Sequence, residues 1–503
     1  MTGADYLALL PLVAPEIALV LTGLAVLLVD LSIMRGEPVP RRNIMAAAIT
    51  ALGGILALLW LFNVPGQASV AHGIFVVDAL TQWVKMAVLI MTLFTAGLSV
   101  GQRFTEHVGE YFSLLLMATV GMMFLVSTED LLMLFVALEL TSLSLYILTA
   151  FNHREAKSAE AGLKYFLFGS VAAAFALFGF SLLYGVAGST NLREIAAAVT
   201  GRPLDPMFLA GMVMAIIGFG FKIAAVPFHL WAPDTYEGAP TPAAALIASG
   251  SKVASFFVLA KVLVLGFAGA EGNGGWRLFA PGWAPLLATL AVASLLLGNL
   301  AAIVQSGLKR LLAYSAVAHA GYLLLGVLAL VEPAQRTTAF ASVLYYLFTY
   351  GLTTIGAFGV VAIVERQTGG DRLDAFAGLG QRSPGLALCL LIFLLSLAGI
   401  PPLAGFFGKF YLFLAAARVG AGQFHLLWLV ILAIAMSTVS LYYYLLVLKQ
   451  AWVIGPAPSQ ATPAPTLLDR VLLWALALTV LGLGLAPTLL LDRLIDAIKA
   501  AGF

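Results

Sequence analysis

The 503-residue chain is 62% hydrophobic and 10% charged, with a mean hydropathy of +1.02 and a net charge of +2. That composition excludes an ordinary soluble domain and places the chain among polytopic membrane proteins. The small net charge, with aromatics set in apolar runs and away from basic clusters, gives nucleic acid nothing to bind.

The single cysteine, Cys389, rules out an intrachain disulfide and any cysteine-ligated iron–sulfur or zinc centre. No Gly-rich phosphate loop follows a strand pattern, so no nucleotide site is expected. Electron carriers, where needed, belong to other chains.

Apolar stretches of about 20 residues, bounded by charge or Gly/Pro clusters, predict about 14 transmembrane helices in an all-α polytopic membrane fold. In chain order they cover 11–33, 43–63, 74–101, 110–127, 129–151, 158–187, 205–229, 240–268, 282–304, 308–331, 336–365, 383–418, 424–449 and 466–490. No basic region precedes the first and no small-residue cleavage site follows it, so it reads as a retained helix and not a signal peptide.

Loops after odd-numbered helices hold thirteen basic residues: Arg35, Arg41, Arg42, Arg103, Arg154, Lys157, Lys309, Arg310, Arg366, Arg372, Arg382, Lys449 and Arg470. The opposite loops hold seven: Arg193, Arg202, Arg277, Arg336, Arg418, Arg493 and Lys499. The positive-inside rule then puts both termini on the outer, periplasm-like side.

The ionisable groups that remain lie inside spans, where each costs ~2.5–3.5 kcal/mol even on the lenient insertion scale. Glu139 sits mid-way along the fifth span, with Thr141, Ser142 and Ser144 beside it as partners. Lys222 lies on the seventh, Lys252 on the eighth, His319 on the tenth and Lys409 on the twelfth. Lys85, Lys261 and Lys449, nearer span ends, read as lysines that snorkel to the interface. Lys261 follows Lys252 by nine residues, on roughly the opposite helix face, so the two belong to different sites.

Arginine keeps its proton in any protein setting, whereas a lysine removed from water can release one. Five central groups of the kind that can exchange protons, on five helices, point to proton transport.

Prolines flank two of these lysines. Pro227 follows Lys222 and would free the carbonyl of Ile223; Pro401 and Pro402 precede Lys409 and would free those of Leu397 and Ala398. Free carbonyls at membrane depth are tolerated only where protein or water satisfies them, so each break marks a candidate hydrated cavity. Breaks in the seventh and twelfth spans imply two inverted five-helix repeats, spans four to eight against nine to thirteen. That pairing matches Glu139 with His319 and Lys222 with Lys409. The expected organisation is an N-terminal three-helix unit (1–109), a first repeat (110–268), a second, inverted repeat (282–450) and a C-terminal helix (466–503).

ALELTSLSLYILTAF at 137–151, HLWAPDTYEGAPTP at 229–242 and AGIPPLAGFFGKFYLF at 398–413 resemble the antiporter-like membrane subunits of bacterial proton-pumping NADH:quinone oxidoreductase, respiratory complex I, and among them subunit N, the counterpart of mitochondrial chain 2. Lys409 stands where subunit M typically has glutamate, and the short C-terminus differs from the long extension of subunit L. The resemblance covers nearly the whole chain. It implies fourteen helices and a proton relay through Glu139, Lys164, Lys222, Lys252, His319 and Lys409, with Lys164 nearer its span end than the others. It also implies a non-redox subunit of a translocase, with NADH, flavin, iron–sulfur clusters and quinone bound in partner subunits and none in this chain. Subunits K and M are the implied neighbours, in a bacterial inner membrane.

Two other classes share the core architecture. A multi-subunit cation/proton antiporter would show sodium-dependent flux, and a non-conducting scaffold would keep full pumping after its central lysines are neutralised.

Overall fold

In the computed structural model, residues 3–63, 67–275, 278–420, 425–456 and 462–503 are described. Arg277, one of the seven basic residues assigned to the outer loops, lies outside them.

The chain opens with α1 (Gly3–Ser32) and α2 (Val39–Leu61). A hairpin of β1 (Gln67–Val70) and β2 (Phe75–Asp78) leads to α3 (Ala79–Ser99), α4 (Val108–Val126), α5 (Leu131–Thr149) and α6 (Ala156–Ala187). Then come α7 (Leu192–Val199), α8 (Pro206–Lys222), α9 (Trp231–Gly238), α10 (Thr241–Ala248) and α11 (Gly250–Lys261). A second hairpin, β3 (Asn273–Gly275) and β4 (Leu278–Ala280), precedes α12 (Trp283–Ile303), α13 (Leu308–Leu328) and α14 (Arg336–Thr368). The last third holds α15 (Leu379–Arg382), α16 (Pro384–Ala398), α17 (Ala404–Arg418), α18 (Leu427–Trp452), α19 (Leu467–Leu485) and α20 (Thr488–Ala500).

Among the described residues, twelve helical segments are long and apolar enough to cross a membrane, and α8 and α16 are two shorter apolar helices. Each of these two stops mid-way and resumes after a break, as α9 and α17. The seventh and twelfth spans are therefore broken, as expected from the prolines.

Local chemistry sets the helix starts. Asp78 caps α3 in a reciprocal capping box with Thr81, Asp130 accepts from the amides of Leu132 and Met133 at the head of α5, and Thr466 and Asp469 form a capping box on α19. Each satisfies amide groups that a helix end leaves unpaired.

Every residue of α10 and α11 is buried, as are nearly all of α13. These helices and α14 form the centre, and α1, α2, α6, α18 and α19 leave broad apolar faces outward. Because water is absent from that outer shell in a bilayer, exposed Leu163, Phe166, Val171 and Phe178 on α6 carry no solvation penalty.

Three features differ from the expectation. The eighth span, expected as one helix over 240–268, is interrupted at Ser249 (φ −119°, ψ −83°) and ends in a π-helical turn over Val262–Gly266. The final span stops at Leu485, and α20 is an additional helix that buries Leu494, Ala497 and Ile498 and packs on α3 and α14. Lys85 and Lys261 do not snorkel: both are 1% exposed, Lys85 ion-paired to Glu16 at 2.6 Å and Lys261 3.8 Å from Glu129. A buried acid on a neighbouring segment was available to each, which removes the reason to reach for water. Lys449 is exposed, as expected.

Candidate functional site

Lys222 is the last residue of α8. Ala224 takes a left-handed backbone (φ 56°) and turns the chain away four residues after Gly220, three before Pro227. The unwound groups find partners at once. The indole of Trp231 donates to the carbonyl of Phe221 at 3.0 Å, and the amide of Val226 donates to the Ser294 hydroxyl at 2.9 Å. The Lys222 ammonium is hydrogen-bonded to Ser142 and lies 5.7 Å and 5.5 Å from the rings of Tyr146 and Phe221. Glu139, one turn before Ser142 on α5, lines the same narrow cavity together with Lys222.

The break in the twelfth span is built differently. Gly399 (φ 90°) ends α16, in a conformation open to glycine, and a Cβ there would meet the Lys409 side chain at 3.0 Å. Gly405, the second residue of α17, admits the Ser396 carbonyl so closely that a Cβ would sit 1.9 Å from its oxygen. The two half-helices can therefore abut, and Lys409 reaches back across the gap. Its ammonium donates to the Ala398 carbonyl at 3.0 Å and to Ser437 Oγ at 2.9 Å. Ala398 is one of the two carbonyls the prolines were expected to free.

Between these breaks lies a connected group. Lys252 is 1% exposed, donates to the carbonyl of Ala316 and lies 5.8 Å from the ring centre of Tyr350. His319, one turn beyond Ala316, has its ring 4.8 Å from that of Tyr350 and 5.6 Å from that of Tyr322. The Lys409 ammonium stands over the opposite neighbour, 4.8 Å from the Tyr322 ring centre. The order is lysine, tyrosine, histidine, tyrosine, lysine. His319 Nδ1 is 2.5 Å from the Tyr346 hydroxyl and Nε2 is 3.2 Å from that of Tyr444, which is itself 2.5 Å from Ser315 Oγ. Tyr322 continues through Asn299 (3.4 Å) to Tyr443 (3.2 Å).

The structure thus brings Lys252, His319 and Lys409 into one polar assembly and Glu139 with Lys222 into another. Lys164 joins neither. It is 39% exposed and ion-paired to Glu160 at 2.6 Å and Asp234 at 2.7 Å, within a network in which Arg310 also holds Asp234 and Glu237, and Lys157 holds Glu237. The three hydroxyls flanking Glu139 that were expected as its partners, Thr141, Ser142 and Ser144, all return hydrogen bonds to their own helix, at the carbonyls of Ala137, Leu138 and Leu140.

The tyrosines were missed in the sequence reading. Their signal was present: Tyr346 and Tyr350 are one helical turn apart, Tyr322 is three residues past His319, and Tyr443 and Tyr444 are adjacent in an apolar run.

Residues 128–437 match the family profile described as NADH:quinone oxidoreductase/Mrp antiporter, TM. Over 502 residues the chain is 53% identical to the NADH-quinone oxidoreductase subunit N 2 of Acidobacterium capsulatum, covering 98% of this chain and 99% of that one. The chain belongs to the NADH-quinone oxidoreductase subunit N family. Subunit N in this form is a multi-span membrane component of that enzyme complex. Among solved structures, a chain of respiratory complex I from Thermus thermophilus superposes with a TM-score of 0.77 at 36% identity, over 95% of this chain and 99% of that one. A chain of the Mrp complex from Dietzia sp. reaches 0.81 at 20% identity, over 97% and 96%, a likeness of fold alone.

Proposed function

We propose that this chain translocates protons as a membrane-arm subunit of NADH:quinone oxidoreductase, driven by NADH oxidation and quinone reduction in partner subunits. The observation that carries the proposal is the series Lys252, Tyr350, His319, Tyr322, Lys409. Titratable groups at membrane depth are separated there by single aromatic rings bearing hydroxyls, a spacing that a few water molecules bridge.

In this reading Glu139 and Lys222 form the switch. If they come within ~6 Å at an effective dielectric of ~20, their attraction is about 3 kcal/mol, equivalent to roughly a hundredfold in a proton-transfer equilibrium. While Glu139 is charged and close, Lys222 keeps its proton. Movement or neutralisation of Glu139 sends that proton toward Lys252 and His319, and Lys409 loads from His319 and delivers to the outer side. Lys164 has a subsidiary part, holding Asp234 in the surface network at the basic end.

Protons would enter from a cavity of about 500 Å³ on the basic side, whose lining includes Thr241, Lys309, Glu365 and Asp371. Glu365 accepts from Lys309 at 3.0 Å and from Thr241. From Glu365, one face of α14 runs through Phe358, Thr354 and Tyr350 to Tyr346. Phe358 packs 5.9 Å from the ring of Tyr236, whose buried hydroxyl has no hydrogen-bond partner among the described residues.

The same reading assigns residues 1–109, 110–268, 282–450 and 466–503 to an N-terminal unit, two inverted repeats and a terminal helix. Both termini face the periplasm of a bacterial inner membrane, and subunits K and M are the neighbours. Flavin, iron–sulfur clusters and quinone belong to the partners.

The test is the Lys222→Met/Lys409→Met double variant in the assembled complex, with proton uptake measured in proteoliposomes against NADH consumed. Reduced pumping per NADH is expected. Full pumping refutes the relay, and a sodium-dependent flux favours the antiporter class that shares the family profile.

A further inference from the structure

An apolar stretch of α14 separates the basic-side cavity from the polar assembly around His319. Glu365 at the cavity and Tyr350 beside Lys252 are about 22 Å apart along the helix axis. Phe358 and Val361, both buried, lie on the face between them. A proton passing from one end to the other needs a bridge that α14 alone does not supply.

Tyr236 on α9 stands beside that stretch. It is fully buried, two residues before Gly238 in the cavity wall, and its ring meets that of Phe358 edge-on, with centroids 5.9 Å apart. Its hydroxyl has no hydrogen-bond partner among the described residues and lies within electrostatic reach of the Tyr350 hydroxyl. Thr354, one turn from Tyr350 and one from Phe358, carries a second buried hydroxyl, which approaches that of Tyr350 without the geometry of a full hydrogen bond. Other threonines of α14 behave differently: Thr349 and Thr353 donate back to the carbonyls of Tyr345 and Thr349. Thr354 forgoes that local bond. Buried hydroxyls left dry are costly, and native proteins satisfy nearly all of them through protein or ordered water. The hydroxyls of Tyr236, Thr354 and Tyr350 together match the two to four polar partners that hold a buried water.

We propose that a buried water held by Tyr236, Thr354 and Tyr350 is the proton link between the basic-side cavity and Lys252, with Tyr236 and Thr354 as its positioning residues. The inference rests on proton entry through that cavity. A proton arriving from the cavity side at the Tyr236 oxygen displaces that hydroxyl's own proton to the water. The water passes one of its protons to Tyr350, and Tyr350 releases its hydroxyl proton toward an uncharged Lys252. Both tyrosines and the water end with the number of protons they began with.

The test compares Tyr236→Phe, Thr354→Val and their double variant in the assembled complex, since each removes a hydroxyl at nearly constant shape. The readouts are the initial rate of NADH-driven proton uptake in proteoliposomes and the melting temperature. Uptake is expected to fall about fivefold in each single variant, the equivalent of one hydrogen bond. The double variant falls no further, because both hydroxyls act through one water. Thr354→Ser, which keeps the hydroxyl, retains more uptake than Thr354→Val. The melting temperature falls in each single variant, whereas removing a dry hydroxyl raises it. A melting temperature unchanged or raised, wild-type uptake in either single variant, losses that multiply in the double variant, or Thr354→Ser as impaired as Thr354→Val overturns the proposal. Lys222→Met/Lys409→Met, measured alongside, separates the two readings. Full uptake in that variant refutes the relay itself, whereas impaired uptake there with full uptake in Tyr236→Phe refutes the water link alone.

Discussion

Lys252 and His319 share a single aromatic ring: Tyr350 lies 5.8 Å from the lysine ammonium and 4.8 Å from the imidazole, while Lys252 donates to the carbonyl one turn before His319. Two titratable groups on different helices are thereby held at a fixed separation without touching. A relay needs this arrangement, because a direct ion pair would hold the proton where it is. Tyr350→Phe keeps the ring and removes the hydroxyl. Assembly is expected to stay near wild type and proton pumping per NADH to fall several-fold, as read by proteoliposome acidification.

Tyr346 fixes the imidazole through its 2.5 Å contact with His319 Nδ1. Tyr346→Phe leaves a buried ring nitrogen unpaired, at a cost of ~1–3 kcal/mol, and frees the imidazole to change tautomer. The expected result is slower pumping with lower thermal stability of the complex. Pumping unchanged in the assembled variant would remove Tyr346 from the account.

Lys164 supplies a contrast. It is 39% exposed and one member of a surface network in which Arg310 independently holds Asp234 at 2.6 Å. Lys164→Met is expected to keep more than about half of wild-type pumping, since exposed pairs contribute ~0–1 kcal/mol each. Lys252→Met is expected to lose most of it. Equal losses in the two variants would return Lys164 to the central relay.

The Glu16 and Lys85 pair is buried on both sides, each 1% exposed, and links α1 to α3 away from the relay. Lys85→Met strands a buried carboxylate and is expected to cost ~3–5 kcal/mol, lowering the melting temperature or the yield of assembled complex. Glu16→Gln combined with Lys85→Met removes both charges and should recover most of that loss. A double variant no more stable than the single one would contradict a structural ion pair.

Much of this was readable from residue order. Apolar run length located the spans because a bilayer imposes it, and Pro227, Pro401 and Pro402 marked the breaks because proline cannot complete a helix ladder. Ala398 was foreseen as a freed carbonyl, and Lys409 takes it. What escaped was what depends on packing between distant segments. Lys85 and Lys261 look like interfacial lysines until Glu16 and Glu129 are brought beside them from elsewhere in the chain. Tyr322, Tyr346, Tyr350 and Tyr444 look like ordinary apolar filling until their rings converge on His319. The break at Ser249 carries no proline, and α20 is too polar on one face to register as a span.

The central claim is that a lysine in the series must give up its proton, and Lys252→Arg tests it most directly. Arginine keeps the positive charge but cannot release the proton. Protons pumped per NADH oxidised, measured in proteoliposomes of the assembled complex, should fall in Lys252→Arg to the level of Lys252→Met. Wild-type stoichiometry in Lys252→Arg would show that charge alone suffices there and would contradict the account.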